Sequence, residues 1–272
     1  MPGDNAIDGL CQFLCPISIE MCRLCDLLPD MPAAARCICM AAIIVVLIVL
    51  IVQIAQIAHM AVRDHFTIDQ TTPVTSTVDG MKYRVHGGHN NPEEAANRLA
   101  QLNRRTTDLL RWLRRRYIGS PGVPPAAAPS ELTAARVAAV SNLLARYNPD
   151  NLAENSPLDV TGDSSYCLDK GAVIALCLRT RAMPATRGRP AVAAGQLHDL
   201  DTLIFVTLHE IAHAAIEDID HPPQFWSTFK FLLEEAEAGG IYYSPDFERF
   251  PVDYCGVHVD YNPRFDTALR LI

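Results

Sequence analysis

The residues best suited to chemistry lie in one stretch, TLIFVTLHEIAHAAIEDIDHPPQFW, from Thr202 to Trp226. On a helix, side chains at i and i+4 leave the same face, so His209 and His213 can reach one ion. Glu210 sits beside them on the helical wheel. It is placed to touch a water on the metal without being a ligand itself. Zinc moves the pKa of such a water toward ~7, and a carboxylate can then take its proton as the water attacks a carbonyl. With nine histidines in the chain, chance alone would produce HExxH in roughly one such chain in a hundred. A third histidine, His221, follows with seven residues between it and His213, at a turn set by Pro222 and Pro223. Three protein ligands plus one open position is the coordination that a catalytic zinc needs. Glu217, Asp218 and Asp220 are nearby alternatives for the third ligand, and His198, ahead of the helix, is a remote one. The competing reading is a surface helix carrying solvated histidines.

These residues need rigid elements to hold them. LIFVTL before the motif reads as buried helix, started by Asp199 or Asp201. QFWSTFKFLLEEAEAGG reads as a further helix with Phe225, Phe229, Leu232 and Leu233 inside and Gly239 as its stop. SSYCLDKGAVIALCLRT reads as strand, and residues 181–198 as a Pro/Gly/Ala loop. NNPEEAANRLAQLNRRTTDLLRWLRRRY carries an apolar stripe of Leu99, Leu102, Thr106, Leu109, Leu110, Leu113 and Tyr117. Asn91 is placed to cap it, with Pro92 in the first turn. SELTAARVAAVSNLLARY reads as another helix capped by Ser130. The tail from Ile241 to Pro263 reads as irregular.

The N-terminal third is of another kind. Residues 1–36 form a tail holding Cys11, Cys15, Cys22 and Cys25, whose spacing fits zinc, acylation, disulfides or inert thiols. No charge occurs from Cys37 to Val62. As a helix those residues would reach roughly 39 Å, more than the ~30 Å of a bilayer core. The expectation is a single transmembrane helix over 37–62, with Gln53 and Gln56 toward its end, and a lipid bilayer as partner. Residues 63–91 are expected to be a stalk with little fixed structure, and 92–272 the folded domain, with 119–130 as an internal linker. Three widely spaced cysteines in that domain, Cys167, Cys177 and Cys255, suggest folding in a reducing compartment. The C-terminal domain is then expected on the cytosolic side. The net charge of −8 argues against nucleic acid as a bulk-charge partner.

In order over roughly residues 92–263, the stretches AANRLAQLNRR, LLARYNPDNLAENSP, SSYCLDKGAVIALCLR, DTLIFVTLHEIAH, HPPQFWSTFKFLLEEAEAGGIY and PVDYCGVHVDYNP resemble the WLM/SprT-like metallopeptidases of nucleocytoplasmic large DNA viruses. The resemblance implies an α+β fold, a small zincin-like domain of the minigluzincin or SprT type. It implies Zn2+ on His209, His213 and His221, with Glu210 as the general base. One departure is Asp220, where the family pattern leads one to expect glycine. The resemblance further implies a protein or peptide substrate, and a virion internal membrane or host membrane as the setting. A structural role in the virion, bridging membrane and capsid proteins on a peptidase fold with little turnover, is the alternative. A DNA–protein crosslink protease is a third reading, disfavoured by the charge and the apolar run.

Other residues carry weaker signals. Tyr242, Tyr243 and Tyr254 are candidates to donate to an oxyanion, against a default of core packing. Cys255 lacks an evident activating partner and reads as buried. The basic run from Arg104 to Arg116 fits either a phosphate-binding face or a solvated helix.

Overall fold

The computed structural model describes residues 44–54, 71–155, 164–182, 184–185 and 191–272. Contacts divide the chain into two units, residues 1–65 and 66–272. In the first unit, residues 44–54 are helical, and Val45 to Val52 and Ile54 are exposed. Among the described residues no helix is long and apolar enough to cross a membrane. This corrects the transmembrane helix expected over 37–62, and with it the single-pass membrane localisation. Absence of charge lowers the cost of burial, but it does not set the length of a helix. The rest of that run and the cysteine-rich tail lie outside the described residues.

The second unit is α+β. Its sheet has the order β1-β2-β3-β5-β4. β1 (Thr71–Thr75) and β2 (Lys82–His86) form an antiparallel hairpin, with Val74 opposite Tyr83. β3 (Leu152–Glu154) runs parallel to both β2 and β5 (Val173–Leu176), while β4 (Tyr166–Leu168) is antiparallel to β5. The hairpin falls where a stalk was expected, so the folded unit starts well before residue 92. Tyr83 and Val85 are fully buried in its core.

Helix α1 (Pro92–Leu113) crosses β1, β2 and β3 and buries the whole predicted stripe. Pro92 stands in its first turn, followed by Glu93 and Glu94, which suit the positive end of the helix dipole. Asn91 makes no side-chain cap and instead bonds Arg179 and Glu94. A π-helical turn, Arg114–Ile118, continues α1 and turns Tyr117 inward. The segment expected to be a linker, 119–130, packs back on that turn: Ala126 and Ala127 donate to the carbonyls of Arg115 and Arg116. Helix α2 (Ala134–Arg146) is capped by Thr133 rather than Ser130, which lies in the 3-10 turn Pro129–Glu131.

Helix α3 (Leu200–Ala215) lies between α1, α2 and α4 (Pro223–Ala238) and packs on β4 and β5. Surrounded in this way, it is apolar on nearly every side. Asp199 starts it, accepting from the Thr202 amide at 2.8 Å and from its hydroxyl at 2.6 Å. Glu235 of α4 takes Trp112 Nε1 at 2.8 Å and Tyr117 Oη at 2.7 Å, fastening α4 to α1. The tail holds a hairpin, β6 (Val252–Tyr254) with β7 (Val257–Val259), where irregular chain was expected.

Candidate metal centre

His209 and His213 project from the last two turns of α3, and His221 comes back to them from the loop before α4. One nitrogen from each ring falls within 4.8 Å of the others, and His209 Nε2 lies 3.0 Å from His221 Nε2. Two imidazole nitrogens bound tetrahedrally at the usual zinc distance are ~3.3 Å apart, close to the His209–His221 spacing. The His213 ring stacks on Phe225 at 4.3 Å, and the His209 ring meets Phe225 and Phe229 edge-on at 4.8 and 5.3 Å. Both phenylalanines are buried, so the floor of the site is rigid and apolar.

That floor also sets the charge state. Burial, then the neighbouring His213 and His221, hold His209 down at about 3. Burial, then His221, hold His213 at about 4, and burial lowers His221. Near neutral pH the three rings are therefore neutral, which is the form that ligates zinc.

The turn that delivers His221 is held from two sides. Arg146 of α2 donates to the carbonyls of Ala214 at 2.9 Å and Ile216 at 3.3 Å, and Asn142 donates to that of Ala215 at 2.9 Å. These acceptors are carbonyls left without partners where α3 ends. Lys170, in the β4–β5 turn, donates to the Asp218 carbonyl. Asp220 has φ +62°, the left-handed conformation that glycine takes most easily and that Asp tolerates better than most. The departure from the expected glycine thus keeps the turn's backbone.

Glu210 is buried on α3 and is an electrostatic neighbour of Cys167 in β4 and of Tyr254 in β6. The other ligand candidates do not join the triad. His198 sits 3.4 Å from Cys255 Sγ and packs on the Tyr254 ring. Glu217 pairs with Arg146, and Asp218 contributes its carbonyl to Lys170. Of the three tyrosines, Tyr243 is exposed, Tyr242 is buried against α1 and α3, and Tyr254 lies on the Glu210 side, bonded to Ser165 at 2.6 Å. Cys177 and Cys255 form a disulfide across 78 residues of sequence, which corrects the reading of these cysteines as unpaired. The extension of β5 and the β6–β7 hairpin bring them together, and spacing along the chain carries no sign of that. Sequence reasoning missed the roles of Arg146, Asn142 and Lys170. Their only signal is position in elements that pack on α3.

The chain is similar to three uncharacterized proteins of large DNA viruses. One, from Acanthamoeba polyphaga mimivirus, is 39% identical over 97 residues, which are 36% of this chain and 44% of that protein. One, from Invertebrate iridescent virus 6, is 29% identical over 115 residues, 42% of this chain and 57% of that protein. The third, from Invertebrate iridescent virus 3, is 35% identical over 98 residues, 36% of this chain and 53% of that protein. The chain thus spans about half the length of the curated relatives it matches. No family model and no solved structure matches it.

Proposed function

We propose that the chain is a zinc-dependent peptidase of the zincin-like, WLM/SprT type, in which His209, His213 and His221 hold the ion and Glu210 is the general base. The observation that carries this reading is the meeting of three imidazole nitrogens within 4.8 Å of one another, with the buried carboxylate of Glu210 next to His209 on α3. Zinc held there supplies Lewis acidity, polarising a carbonyl oxygen and acidifying water. Glu210 takes the proton of the attacking water and delivers it to the leaving amine. α3 fixes Glu210 relative to the two histidines of the same helix, so the base and the ion keep one separation. β4, at the sheet edge among the described residues, packs on α3. An extended peptide added to that edge would hydrogen-bond through its backbone and pass the Glu210 face.

The test is metal content. The full-length chain should bind one zinc per molecule, and His209→Ala, His213→Ala and His221→Ala should each weaken binding by at least ~10-fold. Binding by His221→Ala as tight as that of the parent would remove His221 from the ligand set.

A further inference from the structure

The rim of the triad carries apolar surface that neither metal binding nor the general base requires. Trp226, one residue after the buried Phe225, is only partly buried. Its indole lies 5.7 Å from the His221 ring and 6.4 Å from the His209 ring. On its other side the ring of Tyr261 meets it edge-on at 5.6 Å, and Tyr261 is 41% exposed. Tyr261 is not a loose side chain, because its hydroxyl donates to Asp266 at 2.9 Å. Ile219, two residues before His221, is 80% exposed. Aromatics are only 7% of the chain, yet two of them form a fixed, solvent-facing pair in direct contact with the histidine site.

We propose that the Trp226–Tyr261 pair is a specificity-determining subsite that takes an apolar side chain, aromatic or branched aliphatic, next to the peptide bond presented to the triad. The proposal rests on the peptidase reading. Its physical basis is separate from the chemistry. An edge-to-face pair offers one free indole face and an open ring edge, which an aromatic ring or a leucine covers with loss of water. A polar side chain there would lose hydration and gain no partner from the bases nearest in sequence, Lys230 and Arg264, which are engaged elsewhere. Lys230 donates to the carbonyls of Asp266 and Leu269, and Arg264 pairs with Glu237. The subsite therefore selects by apolar contact.

The experiment uses the full-length, zinc-loaded chain carrying Glu210→Gln, so that bound peptide is not consumed. Three blocked hexapeptides of glycine and alanine, differing only in one Phe, Leu or Ser, are titrated by calorimetry. The expected result is binding of the Phe and Leu peptides ~10-fold or more tighter than the Ser peptide. Trp226→Ala should bring that ratio to within about twofold, and Trp226→Phe should keep most of it. Zinc content should be unchanged in both. The chain has two tryptophans, Trp112 and Trp226, so the fluorescence change on binding should vanish in Trp226→Phe. Equal binding of the three peptides to the parent, or a preference that survives Trp226→Ala with zinc intact, overturns the proposal. Should Trp226→Ala lose zinc, Tyr261→Ala decides: a preference unchanged in that variant overturns the proposal, and a reduced one supports it. Turnover is read separately, on the zinc-loaded chain with Glu210 in place. Absence of turnover in the parent would count against the peptidase reading alone, and loss of preference with turnover intact would count against the subsite alone.

Discussion

Asp220 holds a left-handed backbone one residue before His221, the ligand candidate that does not come from α3. A β-branched residue there meets a steric cost of about 1–2 kcal/mol, whereas glycine meets none but loses more entropy on folding. Asp220→Val should therefore lower the melting temperature by several degrees and weaken zinc binding by about 10-fold. Asp220→Gly should stay within about 0.5 kcal/mol of the parent, because relief of strain and added entropy nearly offset. Thermal unfolding with and without zinc checks both, and a Val variant as stable and as tight as the parent would contradict this account of the turn. His209, Glu210 and His213 were legible in the sequence because i, i+4 spacing is itself a statement about geometry. The turn residue was legible only as a departure from an expected glycine, and its backbone angle explains why the departure is tolerated. The disulfide partner of Cys177 was not legible at all, since nothing in the spacing of Cys177 and Cys255 marks them as neighbours.

The C-terminus of α3 is the element on which the site depends. Arg146 satisfies two of its final carbonyls from the neighbouring α2, so Arg146→Ala strips charge-assisted hydrogen bonds from a partly buried helix end. A loss of about 2 kcal/mol is expected, with zinc binding weakened because the chain leading to His221 starts there. Arg146→Lys should recover part of the stability but not the paired contact. Denaturant unfolding together with zinc titration checks this, and stability unchanged in Arg146→Ala would contradict it. Helices α1, α3 and α4 were legible because each buries a stripe or a whole surface that the sequence spells out. β1 and β2 were not. Thr72, Thr75, Lys82 and Arg84 are exposed, Pro73 sits in an edge strand, and the inner partner, β3, comes more than sixty residues later. For the apolar run at 37–62, lack of charge is a property of composition, and among the described residues, 44–54 of that run, no helix is long and apolar enough to cross a membrane.

Across the whole folded unit, two long-range links close the structure behind the site. Arg179 and Glu154, both fully buried, pair at 2.7 Å; Glu154 also accepts the His86 amide at 2.8 Å, and Arg179 donates to the Asn91 carbonyl at 3.2 Å. The pair therefore ties the ends of β2 and β3, the extension of β5 and the start of α1. Removing one partner leaves a buried charge uncompensated, so Arg179→Met should cost about 3–5 kcal/mol and lower the melting temperature by roughly 10 °C or more. A smaller loss than that of an ordinary surface substitution would contradict this role. The Cys177–Cys255 disulfide closes a loop for which chain entropy sets a gain of about 4.5 kcal/mol. Reduction by a phosphine, which unlike a dithiol does not chelate zinc strongly, should accordingly lower the midpoint of denaturant unfolding while leaving zinc on the triad, since neither cysteine is part of it. The central claim is that Glu210 is a base and not a ligand, and one comparison tests it most directly. The full-length parent and Glu210→Gln are both loaded with zinc and incubated with a mixed unfolded protein substrate, with and without a chelator. The account predicts equal zinc content, chelator-sensitive cleavage by the parent, and cleavage reduced by ~10²-fold or more in Glu210→Gln. Equal cleavage by the two proteins, or loss of zinc from Glu210→Gln, would contradict it.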